Sequence, residues 1–452
     1  MRLPYPVLQI LARLQQAGFS AYTVGGCVRD HLLGRVPHDW DVCTSALPEE
    51  MKTVFAGLRL VETGLKHGTL TILLDHTPIE VTTFRTDGVY SDHRRPDSVS
   101  FVTDLREDLA RRDFTINAMA YAPETGVIDH FGGQDDLRFG LIRCVGNPEE
   151  RFGEDALRIL RALRFASVYS FQLEPQTARA AHALKDTLRY VAAERIRVEL
   201  EKLLCGAGAG EILRAWPDVL SVIIPELAPM VGYDQNNHHH HFDLWEHTVR
   251  AVENVPPEVI YRVTMLLHDT GKPATRTTDE KGESHYRGHP DMSARIAEIV
   301  VDRLRFDRES QNRIVRLVRY HDIPLRNATG DIDISRRFLL RRLNKFGEED
   351  LRALFRIHRA DRIATGHSSP TREDQRLQRR MEALDALLAE TPCFTLQDLA
   401  VKGNDLLALG LSGPALGQAL HALLDAVMDG RVENDRQALL DYWQQLQTSG
   451  PD

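Results

Sequence analysis

The chain has 452 residues, more than a single hydrophobic core usually serves, so about two to four domains are expected. Hydrophobic residues make up 42% and charged residues 27%, an ordinary globular balance, and no apolar run reaches the ~18 residues of a membrane-spanning helix. The net charge of −9 excludes a uniformly basic surface, so any contact with nucleic acid has to be local.

At the N-terminus, MRLPYPVLQILARLQQAG has apolar stretches broken by polar residues, which predicts a short amphipathic helix and not a signal peptide. Residues 1 to 140 read as mixed α/β. Segments 19–25, 40–45 and 69–84 are rich in Val, Ile, Thr and Leu, and the last is split by Asp75-His76-Thr77-Pro78, which predicts a hairpin. From residue 150 onward the pattern turns helical, as in EDALRILRALRFA and ERIRVELEKLL. Breaks fall at Pro217, Pro225 and Pro229, and again at Gly366-His367-Ser368-Ser369-Pro370. The expected class is α+β, a small mixed head followed by an all-helical remainder. Cys27, Cys43, Cys144, Cys205 and Cys393 form no C-x-x-C pair, which fits a reducing cytoplasm and argues against a disulfide framework.

The head carries the densest chemistry. A strand is predicted to end at Gly25-Gly26 and a helix to start near Val28. Two glycines let backbone N–H groups approach a triphosphate, and Arg29 adds a charge-assisted contact. Asp39 and Asp41, taken as one strand, share a face because side chains at i and i+2 do so. Carboxylates that close repel unless a cation lies between them, and Mg²⁺ suits hard oxygen ligands with phosphate oxygens. Glu80, on the second strand of the hairpin, is the expected third carboxylate. Such a set supports metal-assisted attack of a 3′-hydroxyl on a nucleotide.

GGCVRDHLLGRVPHDWDVCT resembles the signature of the class II tRNA nucleotidyltransferases and bacterial poly(A) polymerases, a branch of the DNA polymerase beta superfamily. The similarity continues through TTFRTDGVYSDHRRPDSVSFV, RRDFTINAMAY and EDALRILRALRFA. It reaches ERIRVELEKLL and the C-terminal VKGNDLLALGLSGPALGQALHALLDAVMDGRVENDRQALL, and so touches most of the chain. The resemblance implies a polymerase-beta-like head over residues 1–145, a helical neck over 146–215 and a body over 216–370. A tail over 371–452 completes it. It also implies that Gly26, Arg29, Arg112, Asp155, Arg158, Arg161 and Arg164 contact the nucleotide, and that Asp39 and Asp41 hold Mg²⁺. The implied partners are tRNA, CTP and ATP, in the cytoplasm.

Without a template the protein must read the base. Asp155, Arg158, Arg161 and Arg164 are spaced by three and fall along one side of a predicted helix. Cytosine and adenine both present an amino donor beside a ring-nitrogen acceptor, which a carboxylate and a guanidinium complement. Uracil and guanine present the reverse order. Segment 85–96 is polar and contains glycine, which predicts a mobile loop. In the family this loop is associated with the switch to A addition, and its presence favours complete CCA or A-only addition. His93 stands where an aromatic residue is expected.

A second constellation follows His238-His239-His240-His241: His247, then His268-Asp269 with Gly271-Lys272, then His289, His321 and Asp361. This order resembles the HD phosphohydrolase superfamily, and those residues are its expected metal ligands. Imidazole with carboxylate suits Mn, Ni, Fe, Mg or Zn. The stretch 336–380 holds thirteen Lys/Arg against six Asp/Glu and is one expected RNA contact, with 398–440 as another. Three readings stay open: CCA addition, A-only addition or polyadenylation, and an HD phosphohydrolase with an RNA-binding head.

Overall fold

The computed structural model describes residues 1–448 except 38, 63, 89–97, 237–240 and 326–330. Most of the expected loop at 85–96, with His93, and the histidines at 238–240 thus lie outside the described residues. The chain divides into two compact units, residues 1–229 with 300–306, and residues 230–299 with 307–452.

The first unit opens with α1 (Tyr5–Gln16), whose Val7, Ile10, Leu11 and Leu14 recur at helical spacing and are buried. The strands that build the sheet region are β1 (Ala21–Val24), β2 (Asp41–Thr44), β3 (Arg59–Val61), β4 (Thr69–Leu74), β5 (Thr77–Thr83), β6 (Arg85–Asp87), β7 (Val99–Phe101), β8 (Met119–Ala122) and β9 (Gly126–Asp129). Seven form one sheet in the order β3-β4-β5-β2-β1-β8-β9. The predicted hairpin is β4–β5, with Leu74 opposite Thr77 and the turn residues Asp75 and His76 at φ 50° and 62°. Two successive positive φ values match the twist of the flanking strands, which is why a two-residue turn closes here. β6 and β7 pair separately as a ribbon flanking 89–97.

The apolar stripe of α1 packs with Val42, Leu70, Ile72, Ile79 and Val81 of the sheet and with Met51 and Phe55. A second cluster gathers Val24, Cys43, Phe84, Leu109 and Ala120. Alternation along the strands thus buries both faces and leaves the chemistry for strand ends. The helices of this unit after α1 are α2 (Gly26–Leu32), α3 (Pro48–Val54), α4 (Leu105–Ala110), α5 (Gly133–Phe139), α6 (Pro148–Glu154), α7 (Leu157–Tyr169), α8 (Pro175–Leu184), α9 (Ala193–Leu204), α10 (Ala209–Ala215) and α11 (Pro217–Ile223).

One predicted helix is broken. Asp155 separates α6 from α7, with φ −144° and ψ 105°, and its carboxylate accepts from the Leu157 N–H. A short acidic side chain that bonds the backbone two residues on competes with helix propagation. The row 155–164 is therefore one capping residue followed by a helix.

The second unit is helical: α12 (Leu244–Glu253), α13 (Val259–Leu267), α14 (Lys272–Thr275), most of α15 (His289–Arg303), α16 (Arg308–Arg319), α17 (Arg336–Ala364), α18 (Pro370–Ala389), α19 (Gly403–Leu407), α20 (Pro414–Met428) and α21 (Arg436–Thr448). α17 is interrupted at Gly347, whose φ of 75° is not helical. None of the five cysteines is joined in a disulfide. Among the described residues, no helix is long and apolar enough to cross a membrane.

Candidate functional site

In the first unit, β1 delivers the chain to Gly25, which adopts φ 80° and ψ −126°. α2 starts at once with Gly26, two residues earlier than expected. A Cβ at Gly25 would lie 2.8 Å from Nη1 of Arg112, and one at Gly26 would lie 3.4 Å from Nη2 of Arg29. The two glycines thus leave room beside two guanidinium groups. Arg29 is buried and held on several sides. Its Nη1 donates to Asn117 Oδ1 at 2.5 Å and its Nε to Asp30 Oδ1 at 2.9 Å. The rings of Phe165 and Tyr169 lie 5.1 and 5.0 Å from its guanidinium carbon. Arg112 keeps a buried Nε with no hydrogen-bond partner among the described residues.

Asp41 begins β2 directly opposite Glu80 of the parallel neighbour β5. Asp39 lies in the lead-in before the strand, not on it, because sheet pairing starts only at Asp41 and Val42. All three carboxylate residues are exposed. The Asp41 carboxyl is raised by the protein packed around it; Arg112 opposes this, and the Glu80 and Asp39 charges add to it. That pattern of mutual repulsion fits an oxygen-donor site for a hard cation.

Charged residues of α6, α7 and α9 form a lattice with Asp113. Arg161 donates to Asp113 Oδ2 through Nε at 2.9 Å and Nη2 at 2.6 Å. Asp113 also accepts from Asn117 Nδ2 and from the Phe114 N–H. Burial would raise this carboxyl, but Arg161 and Asn117 outweigh it and bring it down to about 2. Arg164 lies 2.9 Å from Glu199 and 4.0 Å over the Phe165 ring. Arg158 bonds Glu154 and the Arg151 carbonyl, while Asp155 is bridged by Arg195. The structure therefore gathers Arg29, Arg161 and Arg164 around Phe165, while the Arg158 N–H donates to the Asp155 carbonyl at 2.9 Å.

In the second unit, all six expected histidines and aspartates converge. His247 Nε2 lies 3.2 Å from His268 Nε2, 3.2 Å from Asp269 Oδ2 and 3.1 Å from Asp361 Oδ1. Asp269 turns its other oxygen to His289 at 3.4 Å and His321 at 3.6 Å. Lys272 Nζ meets Asp269 Oδ2 at 2.7 Å. His268, His289 and His321 each place Nδ1 against a backbone carbonyl, of Met265, Tyr286 and Val318. A carbonyl only accepts, so each Nδ1 donates its proton there and each ring turns Nε2 outward toward the cluster. Nε2 of His289 and Nε2 of His321 lie 3.3 Å apart. A shared proton or a cation can bridge them, and imidazoles gathered with carboxylates are a donor set that fits a metal.

Burial lowers His268, but Asp269 and Asp361 outweigh it and lift it to about 10. His289 falls to about 4 through burial, with His321 and Lys272 adding to it against Asp269. Among the described residues, His247, His268 and Asp361 form one group with donor atoms within 4.8 Å, and His268, Asp269 and His321 another. Asp39, Asp41 and Glu80 are not so gathered. A cavity of about 830 Å³ opens on the cluster, lined also by Tyr286, Asp322 and Arg362.

The basic excess at 336–380 is largely neutralised. Arg341 bonds Asp425 at 2.5 Å and Asp429 at 2.9 Å, Arg337 lies 2.9 Å from Asp429, and Arg359 bonds Asp374 at 2.5 Å. Arg380 is buried and donates to the Leu325 carbonyl. Several of the acidic partners lie outside the stretch that was counted.

Family models match residues 21–143 (Poly A polymerase head domain), 170–230 (Probable RNA and SrmB- binding site of polymerase A), 239–387 (HD domain) and 339–443 (tRNA nucleotidyltransferase domain 2 putative). A CCA-adding enzyme of Limosilactobacillus fermentum is 52% identical over 213 residues, 47% of this chain and 53% of that protein. The match thus spans about half the length of that relative. The CCA-adding enzyme of Lactobacillus delbrueckii subsp. bulgaricus is 34% identical over 436 residues, 96% of each chain. The chain belongs to the CCA-adding enzyme family. The fold is of the α+β class that the sequence led one to expect. The crystal structure of the Bacillus stearothermophilus CCA-adding enzyme in complex with CTP matches 99% of both chains at 28% identity, with a TM-score of 0.69. The Thermotoga maritima CCA-adding enzyme complexed with tRNA_CCA matches 98% of this chain and 97% of its own at 21% identity and a TM-score of 0.59, a likeness of fold alone.

Sequence reasoning passed over Asp113, Asn117, Arg195, Glu199 and the rings of Phe165 and Tyr169. Asp113, Asn117, Arg195 and Glu199 sit inside strings that had been singled out, RRDFTINAMAY and ERIRVELEKLL. An acid within a basic string was the available signal.

Proposed function

We propose that this chain completes the 3′ end of tRNA, adding C, C and A from CTP and ATP without a template. The observation that carries the reading is the placement of Asp41 opposite Glu80, with Arg112 acting on Asp41 and reaching toward Gly25. Gly25 and Gly26 admit the triphosphate beside Arg29 and Arg112, with Arg161 and Arg164 as further cationic partners. Asp155 accepts from the amino group of the base, and Arg158 donates to its ring nitrogen once it turns from Glu154. Asp39 and Asp41, with Glu80, would hold Mg²⁺, which supplies charge neutralisation on the triphosphate and a more acidic 3′-hydroxyl. Residues 1–145 act as head, 146–215 as neck, 216–370 as body and 371–452 as tail, and the work is done in the cytoplasm.

The test offers tRNA lacking CCA, tRNA ending in CC, and a generic RNA, each with CTP and ATP. Growth by three nucleotides on the first, by one on the second and none on the third is expected. Long A tails would instead make the chain a poly(A) polymerase. Asp39→Ala or Asp41→Ala should abolish addition of both C and A.

A second activity is favoured by the convergence of four imidazoles and two carboxylates in one cluster. His247, His268, Asp269, His289, His321 and Asp361 would hold one or two divalent cations and hydrolyse phosphate or 2′,3′-cyclic phosphate at damaged RNA ends. Hydrolysis of 2′,3′-cAMP with Ni²⁺, Mn²⁺ or Mg²⁺ is expected, and its survival in His268→Ala and Asp269→Ala would sink this reading.

A further inference from the structure

The carboxylate that reads the base is held by a residue to which the proposed reaction gives no role. Asp155 stands between α6 and α7 in extended conformation, so no helix of its own orients it. Protein N–H groups do so. The Leu157 N–H bonds Oδ1 at 3.1 Å, Arg195 Nη1 bonds Oδ1 at 3.3 Å, and Arg195 Nη2 bonds Oδ2 at 2.7 Å. A carboxylate offers about four acceptor positions, so these contacts leave about one, on Oδ2. The guanidinium is a planar fork, and two-point attachment stops the carboxylate from swinging about its terminal bond. The two side chains are 25% and 13% exposed for Arg195 and Asp155, so little water competes for the pair. One turn along α9, Glu199 does the converse, meeting Arg164 at 2.9 Å and Arg161 at 3.6 Å. α9 thus presents the opposite charge pattern to the row from Asp155 to Arg164.

We infer that Arg195 is a specificity-determining positioning residue: by bridging Asp155 it leaves a single acceptor direction, aimed where C and A place their amino group beside a ring-nitrogen acceptor and where U and G place a carbonyl. The inference rests on the reading of Asp155 as the acceptor for C and A. With Arg195 in place, a carbonyl of U or G meets a carboxylate oxygen that cannot turn aside. Without it, Asp155 rotates or admits water, and the mismatch is tolerated. The effect falls on discrimination and on nucleotide KM, not on the chemistry at the 3′-hydroxyl.

The experiment measures kcat and KM for CTP, ATP, UTP and GTP on tRNA lacking CCA and tRNA ending in CC, for wild type, Arg195→Gln, Arg195→Lys, Asp155→Ala and the double variant Arg195→Gln/Asp155→Ala. For Arg195→Gln the kcat/KM preference for CTP over UTP should fall roughly tenfold, as expected on loss of a charged hydrogen bond. The loss should lie mostly in KM, with Arg195→Lys restoring part of it and the double variant no worse than Asp155→Ala. A uniform loss of kcat with all four nucleotides, or tighter CTP binding, would overturn the inference. If Asp155→Ala relaxes base choice while both Arg195 variants keep it, the inference fails and the reading of Asp155 stands. If Asp155→Ala leaves base choice intact, that reading itself fails.

Discussion

Replacing Asp113 by Asn tests whether the lattice between sheet and neck is electrostatic. Its carboxyl falls from 3.8 to about 2 because Arg161 and Asn117 overcome the cost of burial. That lowering corresponds to roughly 2.5 kcal/mol in favour of the ionised form. A depressed carboxyl contributes fully above its unfolded value and loses that contribution as pH falls through the folded one. The deficit of Asp113→Asn should therefore be about 2 kcal/mol at pH 7, because Asn still accepts one bond from Arg161, and roughly half as large at pH 3. A chain of two compact units need not unfold in one step, so the local opening free energy is the quantity to measure. Hydrogen exchange read by mass spectrometry on peptides from 105–121 and 157–169 reports it. Equal protection in variant and wild type at pH 7, or a deficit that does not shrink toward pH 3, would refute the reasoning.

Gly25→Ala forces a side chain into φ 80° and sets its Cβ 2.8 Å from Arg112 Nη1. The strain is roughly 1–2 kcal/mol, and steady-state assays should show nucleotide KM raised about tenfold with the fold intact by circular dichroism. In metal analysis of the purified protein, His321→Ala should lose one of two divalent ions per chain and Asp269→Ala both, since Asp269 turns one oxygen to each set. Arg372 and Arg379 are exposed, and no ion pair is found for either among the described residues. With about three phosphate contacts from such arginines, tRNA affinity should drop roughly fortyfold between 50 and 200 mM salt, and the double Ala variant should flatten that slope. A flat slope in wild type would remove the stretch from the RNA interface.

The elements that were legible in the sequence are those set by short-range rules. The β4–β5 hairpin followed from its turn residues, α1 from its apolar spacing, and the histidine–aspartate cluster from an ordered set of ligand-type residues. What stayed hidden depends on partners remote in sequence. Arg341 reads as surplus charge until Asp425 and Asp429 come beside it. Asp155 reads as helical until its own carboxylate bonds the Leu157 N–H and Arg195 arrives from α9. The i+2 spacing from Asp41 puts Asp39 on a strand, yet strand identity is settled by the neighbour, and pairing with β5 begins only at Asp41, opposite Glu80.

The two carboxylate-bearing sites differ in how their charges are tolerated, and that difference bears on their chemistry. Asp39, Asp41 and Glu80 are exposed residues, although the protein packed around the Asp41 carboxyl raises it. Under the proposed function, a hard ion that keeps its water and prefers phosphate oxygens would bind there chiefly together with the triphosphate. The site would then be completed by its substrate. His247, His268 and Asp269 are almost fully buried, and their donors already point at common positions. Burial raises the cost of uncompensated charge and fixes the ring orientations through backbone carbonyls, so this site is assembled by the fold before any ligand arrives. Under the proposed function, an exposed site that forms around each incoming nucleotide would serve successive additions of different bases, and a buried, preassembled site would suit a single hydrolytic step on a phosphate that enters its cavity.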